Sequence, residues 1–218
     1  MSRHATIWQP PMAMGGDDFN RANGAIGSLF STDTAQPCVI SGNKLQITPQ
    51  GMGAGLTTYV NTWRGGGNDG KMHTDNHEVR VQLIASSYAL ANNNPVLIYL
   101  AGDNGNNATG INVAASLYSG GSTACTIATG SGATGTTRAS TATQVPTNAL
   151  VQFRRRGNVF TILVNGATHL TWTDTGAIVP IGATQRRVRI GLSGNFPTFQ
   201  QQFQSPSIDS VYAYDLAA

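Results

Sequence analysis

Residues 150–172 read LVQFRRRGNVFTILVNGATHLTW, three runs rich in β-branched and aromatic residues parted by Arg156-Gly157-Asn158 and Asn165-Gly166-Ala167. Gly and Asn accept the positive φ angles that tight hairpin turns demand. Strands are therefore predicted over 150–155, 159–164 and 168–172 as a three-stranded antiparallel meander. Outward from it, 187–192 alternates, and Ile208 to Leu216 supplies a closing strand. Upstream, His77 to Leu83 alternates strictly, with Val79, Val81 and Leu83 on one face and Glu78, Arg80 and Gln82 on the other. Val96 to Leu100 is apolar on both faces and is predicted to lie deeper. Ile111 to Leu117 alternates again, and 38–40, 44–47 and 56–60 are short strands, the first two joined across Ser41-Gly42-Asn43. The stretch 120–143, dominated by Ser, Thr, Ala and Gly, reads as a loose hairpin or a surface excursion.

Composition points the same way. Charged residues are 11% of the 218, the only Glu is Glu78, and the only lysines are Lys44 and Lys71, which leaves amphipathic helices almost no material. The fold class is all-β: two packed antiparallel sheets in one domain, residues 17–218, behind an extended N-terminal arm, residues 1–16. The formal charge of +3 is too small to argue for a specific nucleic-acid partner. No stretch approaches the ~20 apolar residues of a membrane helix, and the first residues lack the pattern of a signal peptide. Cys38 and Cys125 stand far apart without metal-site spacing and are expected as buried thiols rather than a disulfide.

Several motifs match in letters only. Gly65 to Met72 nearly spells a phosphate loop, but Met72 stands where the hydroxyl belongs and a strand follows instead of a helix. Gly130 to Gly135 imitates a dinucleotide loop without a βαβ unit around it. His73-Thr74-Asp75-Asn76-His77 would place two imidazoles and a carboxylate on one face of a strand, a set suited to zinc, yet the segment reads as a polar loop. Glycosidases on such sandwiches need two carboxylates; Glu78 has no acidic neighbour at i+2 or i+4, so no catalytic residue is assigned. Arg154, Arg156, Arg187 and Arg189 are alternate residues on two strands. They could form one patch that recognises carboxylates or phosphates, or else a solvated strand face. Tyr59, Trp63 and Tyr118 could stack on sugar rings.

Asp17-Asp18-Phe19-Asn20-Arg21-Ala22, then Gly42-Asn43-Lys44-Leu45, Arg156-Gly157-Asn158, Val164-Asn165-Gly166 and Ile208-Asp209-Ser210-Val211, resemble the concanavalin A-like, or laminin G-like, jelly-roll domains. The opening segment is most similar to those in minor tail proteins of actinobacterial phages. The resemblance implies that the first and last strands lie side by side and that the chain is a non-enzymatic virion protein of tail or surface. On that reading an arm around Trp8 anchors it to other virion proteins, the chain is a homo-oligomer, and its outer face can touch host-surface glycan. It further implies calcium at the sandwich rim, with Asp17, Asp18 and Asp209 as ligands. A carbohydrate-binding module or lectin is the alternative, and a glycan hydrolase stands last.

Overall fold

The computed structural model describes residues 12–32, 38–47, 55–63, 71–86, 89–90, 94–102, 112–121, 123–130, 135–196 and 203–217. Among them eighteen strands, numbered in chain order, form two nine-stranded sheets, a β-sandwich. The first sheet runs β15 (Ala167–Thr173), β14 (Val159–Val164), β13 (Leu150–Arg156), β7 (His77–Ile84), β18 (Ser207–Asp215), β5 (Leu45–Ile47), β4 (Cys38–Ile40) and β2 (Gly24–Ala25), with β1 (Met12–Asp17) also on β18. The second runs β12 (Thr136–Thr141), β11 (Cys125–Gly130), β10 (Asn112–Leu117), β9 (Val96–Gly102), β16 (Arg187–Phe196), β17 (Phe203–Gln204) and β8 (Ala89–Leu90). Its path branches at β16, which also carries β6 (Gly55–Trp63), and β6 carries β3 (Phe30–Thr32). Every pairing is antiparallel except β17 with β8.

The meander read from residues 150–172 is present as β13, β14 and β15. Its second turn has Asn165 at φ 51° and Gly166 at φ 82°, and the β4–β5 hairpin turns at Gly42 (φ 61°) and Asn43 (φ 59°). Two successive positive φ angles mark the turns whose twist suits paired strands. The stretch 120–143 holds a hairpin, β11 with β12.

Alternation sorts side chains between core and surface. Val79, Val81 and Leu83 of β7, Val151 and Phe153 of β13, and Val211 and Ala213 of β18 face inward. They meet Val96, Ile98 and Leu100 of β9 and Val188, Ile190 and Leu192 of β16 across the sandwich. Both faces of β9 are buried, because Leu97 and Tyr99 form a second cluster with Ala114 on the other side of the second sheet. Cys38 and Cys125 are buried free thiols, and burial raises the Cys125 pKa.

One boundary moves. The sequence assigns residues up to Gly16 to an arm, yet the backbone of Met12–Asp17 pairs with β18, Met12 opposite Asp215 and Asp17 opposite Val211. The sandwich therefore includes Met12–Asp17. The edge of β18 carries N–H and C=O groups that need partners, and a backbone without apolar period supplies them as well as any other. Trp8 lies outside the described residues.

Candidate functional site: the outer face of the first sheet

The residues of β7 that point away from the core do not simply meet water. Antiparallel register aligns Thr171, Thr161, Arg154, Glu78 and Tyr214 in one row across five strands. A second row runs Leu163, Gln152, Arg80, Tyr212 and Gly16. Directly opposed residues on one face lie close enough for side chains to meet.

Glu78 is the hub. Its side chain is fully buried, in contrast to the solvent-facing position its strand pattern suggests. Arg80 donates through Nε to one carboxylate oxygen at 2.5 Å, and Arg154 donates through Nε to the other at 2.5 Å. Gln152 donates through Nε2 at 3.1 Å. One carboxylate thus neutralises one of two guanidinium groups, and both arginines keep about a quarter or more of their side chains in solvent. The Arg80 guanidinium also lies 4.2 Å from the Tyr214 ring centroid, a cation–π contact that flattens the pair against the sheet.

Tyr212 completes the face. It is 37% exposed, and its ring lies over Gly16, where an added Cβ would stand 1.9 Å from Cδ1. Only glycine permits that approach. Beyond Arg154 the face dips into a groove of about 240 Å³ lined by Arg154, Arg156, Thr161 and Thr168. The face therefore offers two tyrosine rings, guanidinium and amide donors, and hydroxyl groups at positions fixed by strand register. The Glu78 carboxylate is committed to three donors, and no second carboxylate joins it among the described hydrogen bonds of this face.

The residues singled out by sequence separate. Arg154 and Arg156 sit on this face, but Arg187 and Arg189 belong to β16 of the other sheet and are 4% and 1% exposed. Arg189 donates to Asn112 at 2.9 Å and pairs across strands with Tyr99, whose burial pushes its pKa up to about 12. The four-arginine patch does not exist, because the two strands fall in different layers. Tyr59 and Trp63 lie on β6 in register with Leu192 and Phe30, both core residues. Tyr118 is half-buried against the core.

The calcium set is not assembled either. Asp17 accepts from the Phe19 N–H at 2.8 Å and from both Arg21 terminal nitrogens, at 2.6 and 2.9 Å, so its oxygens fasten a turn. Asp18 accepts from Asn20 N–H in solvent, and Asp209 sits half-buried on β18. No three His, Cys, Asp or Glu side chains among the described residues form a metal-holding group. The same holds for His73 to His77. Asp75 pairs with Arg186, which lowers its pKa; Asp215 accepts from the His73 and Thr74 N–H groups. His77 is buried with Nδ1 at 3.1 Å from the Thr74 carbonyl. These groups close one end of the sandwich. Gly65 to Gly70 lie outside the described residues, and Lys71 bridges to Arg187.

Sequence reasoning missed Tyr212, Tyr214, Arg80 and Gln152. The alternation Val211-Tyr212-Ala213-Tyr214 gave the signal that both rings leave the core, but nothing local says which strand lies beside them.

The model of one family, described as a domain of unknown function (DUF7257), matches residues 6–218. No curated protein matches the sequence. Among solved structures, the exoplasmic/lumenal domain of VIP36 in metal-free form has TM-score 0.62 and 10% identity, covering 96% of this chain and 95% of that one. The carbohydrate-binding module CBM66 from Bacillus subtilis has TM-score 0.55 and 8% identity, with coverage of 86% and 96%. A chain from work on endo-acting O-glycanases of the human gut microbiota has TM-score 0.60 and 10% identity, with coverage of 94% and 100%. At such identities the likeness is one of fold.

Proposed function

We propose that this chain, which belongs to the DUF7257 domain family, is a glycan-binding module that uses the outer face of its first sheet. One observation carries the reading: Tyr212 and Tyr214 emerge side by side among the Arg80, Gln152 and Arg154 donors on a surface whose register fixes every position. Sugar rings present apolar C–H faces and equatorial hydroxyls, so a flat aromatic ring flanked by rigid donors suits both. The kinship of fold with a carbohydrate-binding module supports the same reading. A glycan array probed with the purified chain tests it. Binding is expected, and Tyr212→Ala and Tyr214→Ala should each weaken it by about tenfold, the scale of one lost aromatic contact, with far-UV circular dichroism unchanged. A chain that binds no glycan in the array sinks the reading.

The virion setting rests on the resemblance carried by Asp17 to Ala22 and concerns where such a module is displayed. Association of the chain with purified phage particles, read by immunogold labelling, tests that setting separately. A retaining hydrolase built on Glu78 would require a second carboxylate about 5 Å away.

A further inference from the structure

At the end of the sandwich, away from the tyrosine face, the β13–β14 turn and the segment after β15 enclose a cavity of about 650 Å³, within the range of small-ligand sites. Arg155 forms part of its wall. Unlike its neighbours Arg154 and Arg156, Arg155 points inward, is 1% exposed and makes no ion pair with a carboxylate among the described residues. Its Nε donates to the Gly157 carbonyl at 3.0 Å and Nη2 to the Pro180 carbonyl at 3.2 Å, while its charge lies 5.4 Å from the Phe160 ring centroid. Among the described residues, Nη1 of Arg155 has no hydrogen-bond partner. A buried donor without an acceptor costs about 1–3 kcal/mol, more when charged, so an acceptor supplied at this wall would be stabilising.

The rest of the cavity says what kind. Asp174, 4% exposed, accepts from the Ile178 and Val179 N–H groups at 3.0 and 2.7 Å, one bond to each oxygen, which leaves further lone pairs on both. Asn158 and Thr175 add exposed polar groups beside it. The rest of the lining is largely apolar, with Val179 buried and Ile181 70% exposed, the most exposed large hydrophobic residue described. One cation and one carboxylate make the wall neutral overall, so a small anion gains little there. A ligand with hydroxyl groups, each able to donate and accept, and one apolar face fits every feature.

We propose that this cavity is a second binding site, separate from the tyrosine face, that takes a single neutral sugar residue. A hydroxyl entering beneath Ile181 meets the guanidinium of Arg155 as donor and the carboxylate of Asp174 as acceptor, and the apolar face of the ring rests on Ile181 and Val179. The site stands on its own geometry and does not depend on the sheet face being a glycan surface.

The test is an NMR titration of the isotopically labelled chain with methyl glycosides of glucose, galactose, mannose and N-acetylglucosamine, and with acetate as the carboxylate arm. The Ile181 methyl and Asn158 side-chain amide signals should shift saturably with at least one glycoside and not with acetate. Ile181→Asp, at an exposed position, should weaken that response by about tenfold, whereas Tyr212→Ala should leave it unchanged. Silence of these signals with all four glycosides, a response to acetate alone, or loss of the response in Tyr212→Ala each overturns the proposal. Glycan binding at the tyrosines with a silent cavity would defeat this proposal and leave the sheet-face reading standing, and a responsive cavity with inert tyrosines would do the reverse.

Discussion

His77 shows how one buried residue can govern acid stability. Burial with no room for a charge, reinforced by the nearby Arg155 cation, depresses its pKa to about 4 despite the hydrogen bond to the Thr74 carbonyl. Unfolded, the imidazole takes up its proton near pH 6.5. Between pH 6.5 and 4 the unfolded chain therefore binds a proton that the folded chain refuses, and stability falls as pH falls through that window. Above it the group contributes no slope. Urea titrations should show a loss of about 3 kcal/mol across it, and His77→Gln should abolish that slope. Asp75, whose pKa is lowered chiefly by its hydrogen bond to Arg186, gives up its contribution below the usual carboxylate range and so beneath the histidine window. Glu78 makes the complementary case. Glu78→Gln leaves Arg80 and Arg154 opposed without the shared anion; the partial exposure of both arginines moderates the loss to about 2 kcal/mol, read as a lower urea midpoint at unchanged m-value.

At the scale of elements, β18 organises the site, because it is flanked by β7 on one side and by β1 and β5 on the other. The contact between Gly16 of β1 and Tyr212 of β18 separates stability from recognition. A Cβ at residue 16 would overlap the Tyr212 ring, yet that ring is at the surface and can swing away. Gly16→Ala should therefore cost only about 1 kcal/mol in thermal unfolding while weakening glycan binding as much as Tyr212→Ala does; an unchanged affinity would show that the ring position is irrelevant. The opening segment belongs to this scale too. Asp17 and Arg21 close a turn around Phe19, which is fully buried at φ 50° against Phe30, ring centroids 6.1 Å apart. Its two carboxylates are architectural.

For the whole molecule, the pairing of β1 with β18 joins the first and last described strands in one sheet. Deleting residues 1–17 uncovers the Val211–Asp215 edge, which should lower Tm by about 5 °C or more and produce higher-order species in size-exclusion chromatography. Unaltered elution and Tm would mean that the first strand adds nothing to the sandwich.

The strands of residues 150–172, 77–83, 96–100 and 208–216 were legible in the sequence, because alternation and Gly/Asn turns act over a few neighbouring residues. So was the inward or outward sense of each side chain in β7, which fixed Arg80 and Glu78 on one face. Residue order alone was enough for an all-β chain, two thiols without a partner motif, and the absence of acidic pairs around Glu78. It took the packed sheets to bury Glu78 between two arginines, to put Arg187 and Arg189 in the other sheet from Arg154, and to set Tyr212 and Tyr214 beside Arg80. Alternation sets the face a residue takes, whereas strand order and register between segments distant along the chain are set by which edges find complementary partners when the core closes.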